Sequence, residues 1–289
     1  MTVNDFYKSI FHEKTYKISL KSGCTCPNRD GTLDTRGCIF CSPSGSGDFT
    51  AETIEDAKKI VAGKIKNPES AKYIAYFQNF TNTYGDLSKL EKQWKAALNS
   101  PQISGLAIAT RPDCLSTDCL QVLANIANQT FLQVELGFQT CNEETAQYIR
   151  RGFSNEVYIQ AVRNLHKSNP NIHVVTHIIF GLPGDTFQDM MKSIRTAIEA
   201  GSDGIKITSL YILKGTDLEK EFSEGKVKPL SEDEYFTLLK ETLKIIPKDI
   251  IIHRLTGDPP KALLLEPKWT MNKKKVLNKL NELLDYKTK

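Results

Sequence analysis

Apolar, β-branched runs alternate with stretches of helical period along almost the whole chain, and this alternation restricts the fold more than any other feature. Candidate strands lie at Tyr16 to Leu20, Tyr73 to Phe77, Leu106 to Ala109, Phe131 to Leu136, Ile172 to Ile179, Ile205 to Leu210 and Ile250 to His253. Between them Ile54, Ala57, Val61 and Ile65 form one helical stripe, Leu120, Leu123 and Ile126 a second, and Phe187, Met190, Met191, Ile194 and Ile198 a third. Ser231 and Glu234 have the spacing of a capping box, opening a helix that runs towards Ile246. Such stripes face a core and carry no chemistry. Strands recurring with a helix between them predict right-handed crossovers and a parallel sheet, doubly wound or curled as a barrel. Six or seven strands leave a closed eight-stranded barrel short. At 289 residues and 40% hydrophobic, with no Gly/Ser-rich or Pro-rich linker, the chain reads as one large domain.

In parallel α/β architectures the carboxyl ends of the strands carry the active site. The unusual residues of this sequence fall there. A cysteine-rich loop follows the first strand, Gln78 to Tyr84 the second, Thr110-Arg111-Pro112-Asp113 the third, Gly137 to Thr140 the fourth and Gly181-Leu182-Pro183-Gly184 the fifth.

Four of the seven cysteines, Cys24, Cys26, Cys38 and Cys41, lie in that first loop. The opening residues lack the succession of a secretory leader and no apolar run approaches the ~20 residues of a membrane span, so the expectation is a cytoplasmic protein with no membrane partner. In a reducing compartment clustered thiols are metal ligands or catalytic groups more often than bridges. Cys114, Cys119 and Cys141 stand apart and read as ordinary thiols. Two metal readings are open. As four ligands, Cys24-x-Cys26 with Cys38-x-x-Cys41 makes a closed, structural zinc site. As three, Cys38 and Cys41 with Cys24 or Cys26 hold an iron–sulfur cluster with one iron lacking a protein thiolate. A loop joining the first strand of a large α/β domain to its first helix is the place of a catalytic centre, which favours the second.

Several segments together, Cys26-Pro-Asn-Arg-Asp-Gly31, Gly37-Cys-Ile-Phe-Cys41, Gly45-Ser-Gly-Asp-Phe49, Tyr76 to Tyr84, Thr110 to Asp113, Glu135-Leu-Gly-Phe-Gln139, Arg150-Arg-Gly152 and Gly181 to Gly184, resemble the radical S-adenosylmethionine enzymes. Within that superfamily the resemblance is to the bacterial YhcC/YtqA-type group, related to the radical domain of the elongator catalytic subunit. It runs from about Tyr16 to the C-terminal helix. It implies a partial (β/α)6-type barrel, a 4Fe-4S cluster held by Cys26, Cys38 and Cys41, and S-adenosylmethionine chelated at the open iron and cleaved to a 5′-deoxyadenosyl radical. The commonest spacing, Cys-x-x-x-Cys-x-x-Cys, is not kept, since eleven residues separate Cys26 from Cys38; the subgroup also lengthens this gap. Cys24 has no counterpart in the subgroup's pattern and reads as incidental.

The resemblance also implies cofactor contacts. Gln78, Asn82 and Thr83 fall on the loop that contacts the methionine amino group, and Glu135 and Gln139 on positions approaching the ribose or the carboxylate. Arg151 is a candidate carboxylate partner, with pairing to Glu143 or Glu144 as its alternative, and Gly181 a candidate close approach to the adenine. Arg111, Asp113, His253 and Arg254 are candidate substrate-facing residues, Arg111 and Asp113 alternatively forming a structural ion pair. His173 and His177 read as packing or hydrogen-bonded residues.

Net charge is +4, and from Lys268 to Lys289 seven lysines stand against Glu282 and Asp285. The chain divides into a barrel over 1–260, with the cluster loop at 24–41, and a basic helical extension over 261–289 whose Val276, Leu277, Leu280, Leu283 and Leu284 pack back on the body with the lysines outward. This basic end is compatible with a nucleic acid. The resemblance points to the wobble uridine side chain of transfer RNA as substrate, with a small molecule or peptide as alternative. A reductant such as flavodoxin or ferredoxin is implied, and no obligate protein partner. Two rivals belong to other classes: a zinc-stabilised binding protein and an electron-transfer iron–sulfur protein.

Overall fold

The computed structural model describes every residue except 46, 64, 66 and 289, and only the backbone of 285–288. Among the described residues nine strands follow in chain order: β1 (Thr15–Leu20), β2 (Lys72–Phe77), β3 (Ile103–Thr110), β4 (Phe131–Gln139), β5 (Ile172–Phe180), β6 (Gly204–Ser209), β7 (Ile212–Leu213), β8 (Ile251–Arg254) and β9 (Leu264–Glu266). Seven of them form one parallel sheet, ordered β1-β2-β3-β4-β5-β6-β8, curled into a partial barrel. These are the seven strands that the sequence pattern predicts. β7 and β9 form a separate antiparallel ribbon, which ties the C-terminal segment to the loop leaving β6.

Period-two alternation decides what each face of the sheet becomes. Ile18, Ala75, Leu106, Ile108, Leu132, Val134, Val174, Ile205 and Ile207 point outward and are buried under the crossover helices. Among these helices are α2 (Ile54–Ala62), α3 (Leu87–Leu98), α4 (Thr117–Ala127), α6 (Asn155–Ser168) and α7 (Phe187–Ala200), while α5 (Glu143–Tyr148) and α8 (Asp217–Ser223) sit in loops. The intervening positions, Lys17, Tyr76, Gln133, Glu135, His177 and Lys206, meet inside the barrel. β4 runs three residues past its expected end, through a bulge at Gly137–Gln139 that places Gln139 at φ +65°.

The sheet does not close on itself, and α1 (Val3–Phe11), which the sequence pattern did not predict, fills the gap. It packs against both β8 and β1, and the Ile252 N–H donates to the Met1 carbonyl at 3.0 Å. Tyr7 donates to Gln133 Oε1 at 2.9 Å, and Phe6, Tyr7 and Phe11 pack with Phe131, His173 and His253 as an aromatic plug.

α9 (Glu232–Ile245) opens on the expected capping box of Ser231 and Glu234. α10 (Lys273–Thr288) buries Val276 and Leu280, but Leu277 is exposed, against expectation, because it lies off the stripe that meets α9. Nor do all the lysines of this helix stand free in solvent: Lys275 and Lys279 pair with Glu232, and Lys273 with Asp258.

Candidate active site

The loop between β1 and α2 is held by its own polar residues. Asn28 is buried, and its side-chain amide donates to the Arg150 carbonyl at 2.6 Å and to Cys38 Sγ at 3.4 Å. Arg29 donates to the Cys41 and Ser42 carbonyls at 2.9 and 2.8 Å, tying the two halves of the loop together. A side chain at Gly37, where φ is +78°, would place Cβ 2.8 Å from Arg29 Nε, so glycine answers both the backbone and the close approach.

Cys26, Cys38 and Cys41 line one cavity of about 320 Å³ at the carboxyl ends of the strands. Cys24 packs instead against the main core. Burial pushes the Cys38 thiol up to about 12, reinforced by Cys41, while the Asn28 hydrogen bond and the charge of Arg111 act the other way. The thiols of Cys26 and Cys41 are near enough to act electrostatically on Cys38. Among the described residues no three His, Cys, Asp or Glu side chains gather as a single metal ion requires.

Beside the cysteine loop, to which the Thr81 N–H donates at the Thr25 carbonyl, the loop after β2 leaves polar atoms unpaired. Gln78 and Thr81 line the cavity, and the buried Thr81 Oγ1 and Asn79 Oδ1 have no hydrogen-bond partner in the protein. An orphaned buried group of this kind costs about 1–3 kcal/mol, which a bound polar cofactor would offset. The residues therefore fit a polar cofactor such as S-adenosylmethionine, with Gln78 and Thr81 on the cavity wall.

Several candidates stand elsewhere. Asn82 donates to the Ala109 carbonyl at 2.7 Å, and Thr83 contacts Thr110 Oγ1 at 2.5 Å and donates to the Cys114 carbonyl at 2.6 Å; neither reaches the cavity, because both brace β3. Arg151 touches the cavity but is spent on its alternative role: its guanidinium donates to the carbonyls of Phe138, Thr140 and Phe153 and to Glu143 and Asn155. Gly181 faces away, where a Cβ would meet Leu230 Cγ at 2.8 Å. Arg111 and Asp113 form the alternative ion pair, at 2.9 and 2.7 Å, of which Arg111 alone lines the cavity. His253 lies in the aromatic plug, its Nε2 2.8 Å from that of His173, and does not face a substrate. Gln139 and Arg254 line the cavity.

Glu135 also lines the cavity, but as a saturated anion. Its Oε1 accepts from Lys17 and from Gln133 (2.5 Å), its Oε2 from Tyr76 (2.6 Å), His177 (2.5 Å) and Lys206 (3.0 Å). No lone pair is left for a ribose hydroxyl, which removes the role first assigned to it. Burial acts to raise its pKa, yet Lys17, Lys206 and His177 outweigh that and hold it well below the usual carboxylate range. His177 donates as a neutral imidazole: burial and the charge of Lys206 push it down to about 4 in spite of the carboxylate. Lys17, Tyr76, Gln133 and Lys206 were missed in the sequence. Their signal was present, since a lysine within each of two apolar strands, at the parity opposite the isoleucines, marks an interior that is not oily.

A curled parallel half-barrel with three thiols at its carboxyl rim and unpaired polar atoms beside their loop defines the radical S-adenosylmethionine class of enzyme. The chain belongs to that superfamily: the family model described as Radical SAM superfamily matches residues 32–219, and that of the Radical_SAM C-terminal domain residues 202–285. The cofactors are accordingly a 4Fe-4S cluster and S-adenosylmethionine. The chain is 40% identical to the uncharacterized protein YtqA of Bacillus subtilis strain 168, over 98% of its own length and 89% of that protein's. It is 30% identical to the tRNA uridine(34) acetyltransferase of Methanocaldococcus infernus over 165 residues, which are 56% of this chain and 30% of that one. In structure it resembles the archaeal Elp3 of the same organism, with a TM-score of 0.65 at 19% identity. That match covers 87% of this chain but only 59% of the solved one. No helix among the described residues is long and apolar enough to cross a membrane.

Proposed function

We propose that this enzyme holds its cluster through Cys26, Cys38 and Cys41 and modifies a nucleobase of transfer RNA, at the side chain of the wobble uridine. When bound, the cluster and S-adenosylmethionine supply a 5′-deoxyadenosyl radical that takes a hydrogen atom from the substrate. The chain's own part is positional. Asn28 and Arg29 fix the cysteine loop, Gln78 and Thr81 orient the cofactor's polar end, and the barrel wall with its α1 plug keeps water from entering at the amino ends of the strands.

The observation that carries the reading is the convergence of the three cysteines on one cavity in a chain of this superfamily. Transfer RNA is supported by the similarity to the tRNA uridine(34) acetyltransferase and by exposed Lys268 and Lys274 at the basic end. A flavodoxin or ferredoxin is the expected electron donor.

The test is anaerobic reconstitution with iron and sulfide, then dithionite and S-adenosylmethionine, with chromatography for 5′-deoxyadenosine. In parallel, transfer RNA nucleosides from a deletion strain are compared with the parent by mass spectrometry. A cluster-dependent nucleoside product and one altered wobble uridine are expected. Unchanged transfer RNA would overturn the substrate, and absence of 5′-deoxyadenosine the mechanism.

A further inference from the structure

Away from the cysteine loop the cavity wall carries Lys206 and Arg254, cross-strand partners on β6 and β8, with the carboxylates of Glu135 and Asp258. Lys17 and Lys273 bring further positive charge from outside the lining, paired to Glu135 and Asp258 respectively. The histidines add none, since burial pushes His173 and His177 down to about 4 and His253 further. Asp48 also lines the cavity, but on the cysteine loop, where Ser42 donates to it. Glu135 is saturated, and Asp258 is shared between Arg254 at 3.4 Å and Lys273 at 2.9 Å. Lys206 uses two of its three hydrogens, on Glu135 at 3.0 Å and Tyr76 at 3.1 Å, and Arg254 makes one hydrogen bond. Arg254 is exposed at the cavity mouth, but Lys206 is largely buried, and a buried cation with an unspent donor is costly unless an anion joins it.

We infer that this wall of the cavity is an anion site, and that the substrate carries a carboxylate or phosphate group that seats against Lys206 and Arg254. This deepens the reading that the cavity receives the substrate, and rests on it. The cofactor's own carboxylate is not the occupant: by the superfamily resemblance it is chelated at the cysteine loop, whereas Lys206 is the third residue of β6 and meets Glu135 midway along β4. Burial, with Arg254 and Lys17, already pushes Lys206 down to about 8, so a bound anion would return it towards the ordinary lysine range.

The full chain is titrated with sodium acetate, inorganic phosphate or acetamide at ionic strength fixed with chloride, and its thermal midpoint followed. Saturable stabilisation by acetate or phosphate but not acetamide is expected, and whichever anion binds more tightly names the group. Lys206→Met should weaken that anion at least tenfold, Lys206→Arg should retain it, and Lys89→Met, on an exposed helix face, should behave as wild type. No anion response in the wild type, or an equal one in Lys206→Met, overturns the inference. Reconstituted wild type and Lys89→Met should both form 5′-deoxyadenosine without substrate. If the wild type forms none, the proposed function fails while the anion result stands by itself.

Discussion

Replacing Glu135 with Gln should be among the most damaging isosteric changes in the molecule. The substitution keeps size and shape but strands Lys17 and Lys206 beside a neutral amide, and turns one accepting oxygen towards donors as an NH2 group. Removing one member of a buried, hydrogen-bonded charge group costs about 3–5 kcal/mol. Native stabilities of about 5–15 kcal/mol leave little room for that loss. At about 2–4 °C per kcal/mol for a chain of this order of size, the thermal midpoint should fall by roughly 6–20 °C. Urea denaturation at neutral pH, read by circular dichroism on the protein without added cofactor, gives the free energy directly. The partner variant sharpens the test. Because Lys206→Met removes one stranded cation, the double variant should lose at least about 1 kcal/mol less than the sum of the two single ones. A loss below about 1 kcal/mol for Glu135→Gln, or strict additivity, would refute the argument by showing that water already relieves these charges.

Three further outcomes are expected. Ala at Cys26, Cys38 or Cys41 should abolish cluster assembly, read by absorbance and iron content after reconstitution, whereas Cys24→Ala, whose thiol packs on the main core, should reconstitute normally; failure of the Cys24 variant would break the ligand assignment. Gly181→Ala should cost about 1–3 kcal/mol in urea, since its φ of +86° and the Leu230 side chain at 2.8 Å both oppose a Cβ, and a neutral result would deny that strain. Acid should destabilise the fold between about pH 6.5 and 4. His173, His177 and His253 have folded pKa values depressed by burial, so the unfolded chain binds the extra protons in that window and stability, full above it, falls as pH drops; His166, raised by its hydrogen bond to Asp203, acts with the opposite sign but above that window. Urea midpoints at pH 7.5 and 5 check the sign, and His177→Gln should flatten the slope.

The parallel architecture was legible because each strand is apolar on its outward face and each crossover helix carries a clear stripe. What the pattern hid was the inward face. A run such as Gly204-Ile-Lys-Ile-Thr-Ser209 reads as a strand whichever way it turns, and only its partners reveal that Lys206 points to Glu135 rather than to solvent. The cysteine loop could be read as a ligand segment, but the roles of Asn28 and Arg29 depend on contacts with Arg150, Cys41 and Ser42, of which the first lies far along the chain. Arg151 shows the same limit in reverse: an arginine close to a site looked free to bind, and the carbonyls of Phe138, Thr140 and Phe153 that consume it carry no sequence identity. α1 escaped notice because its partners are the interior of a barrel whose walls come later in the sequence.

That last point bears on how the chain is born. Thr2 bridges to Ile252, so a helix made before any strand of the sheet docks on the strand made last. At roughly 5–20 residues per second, tens of seconds pass between their syntheses. Throughout that interval Phe6, Tyr7 and Phe11 have no finished surface to cover, and the polar interior lies open at its amino end. Nascent chains of this protein should therefore be clients of chaperones that hold exposed apolar segments, and slowing translation should expose the helix to proteases for longer.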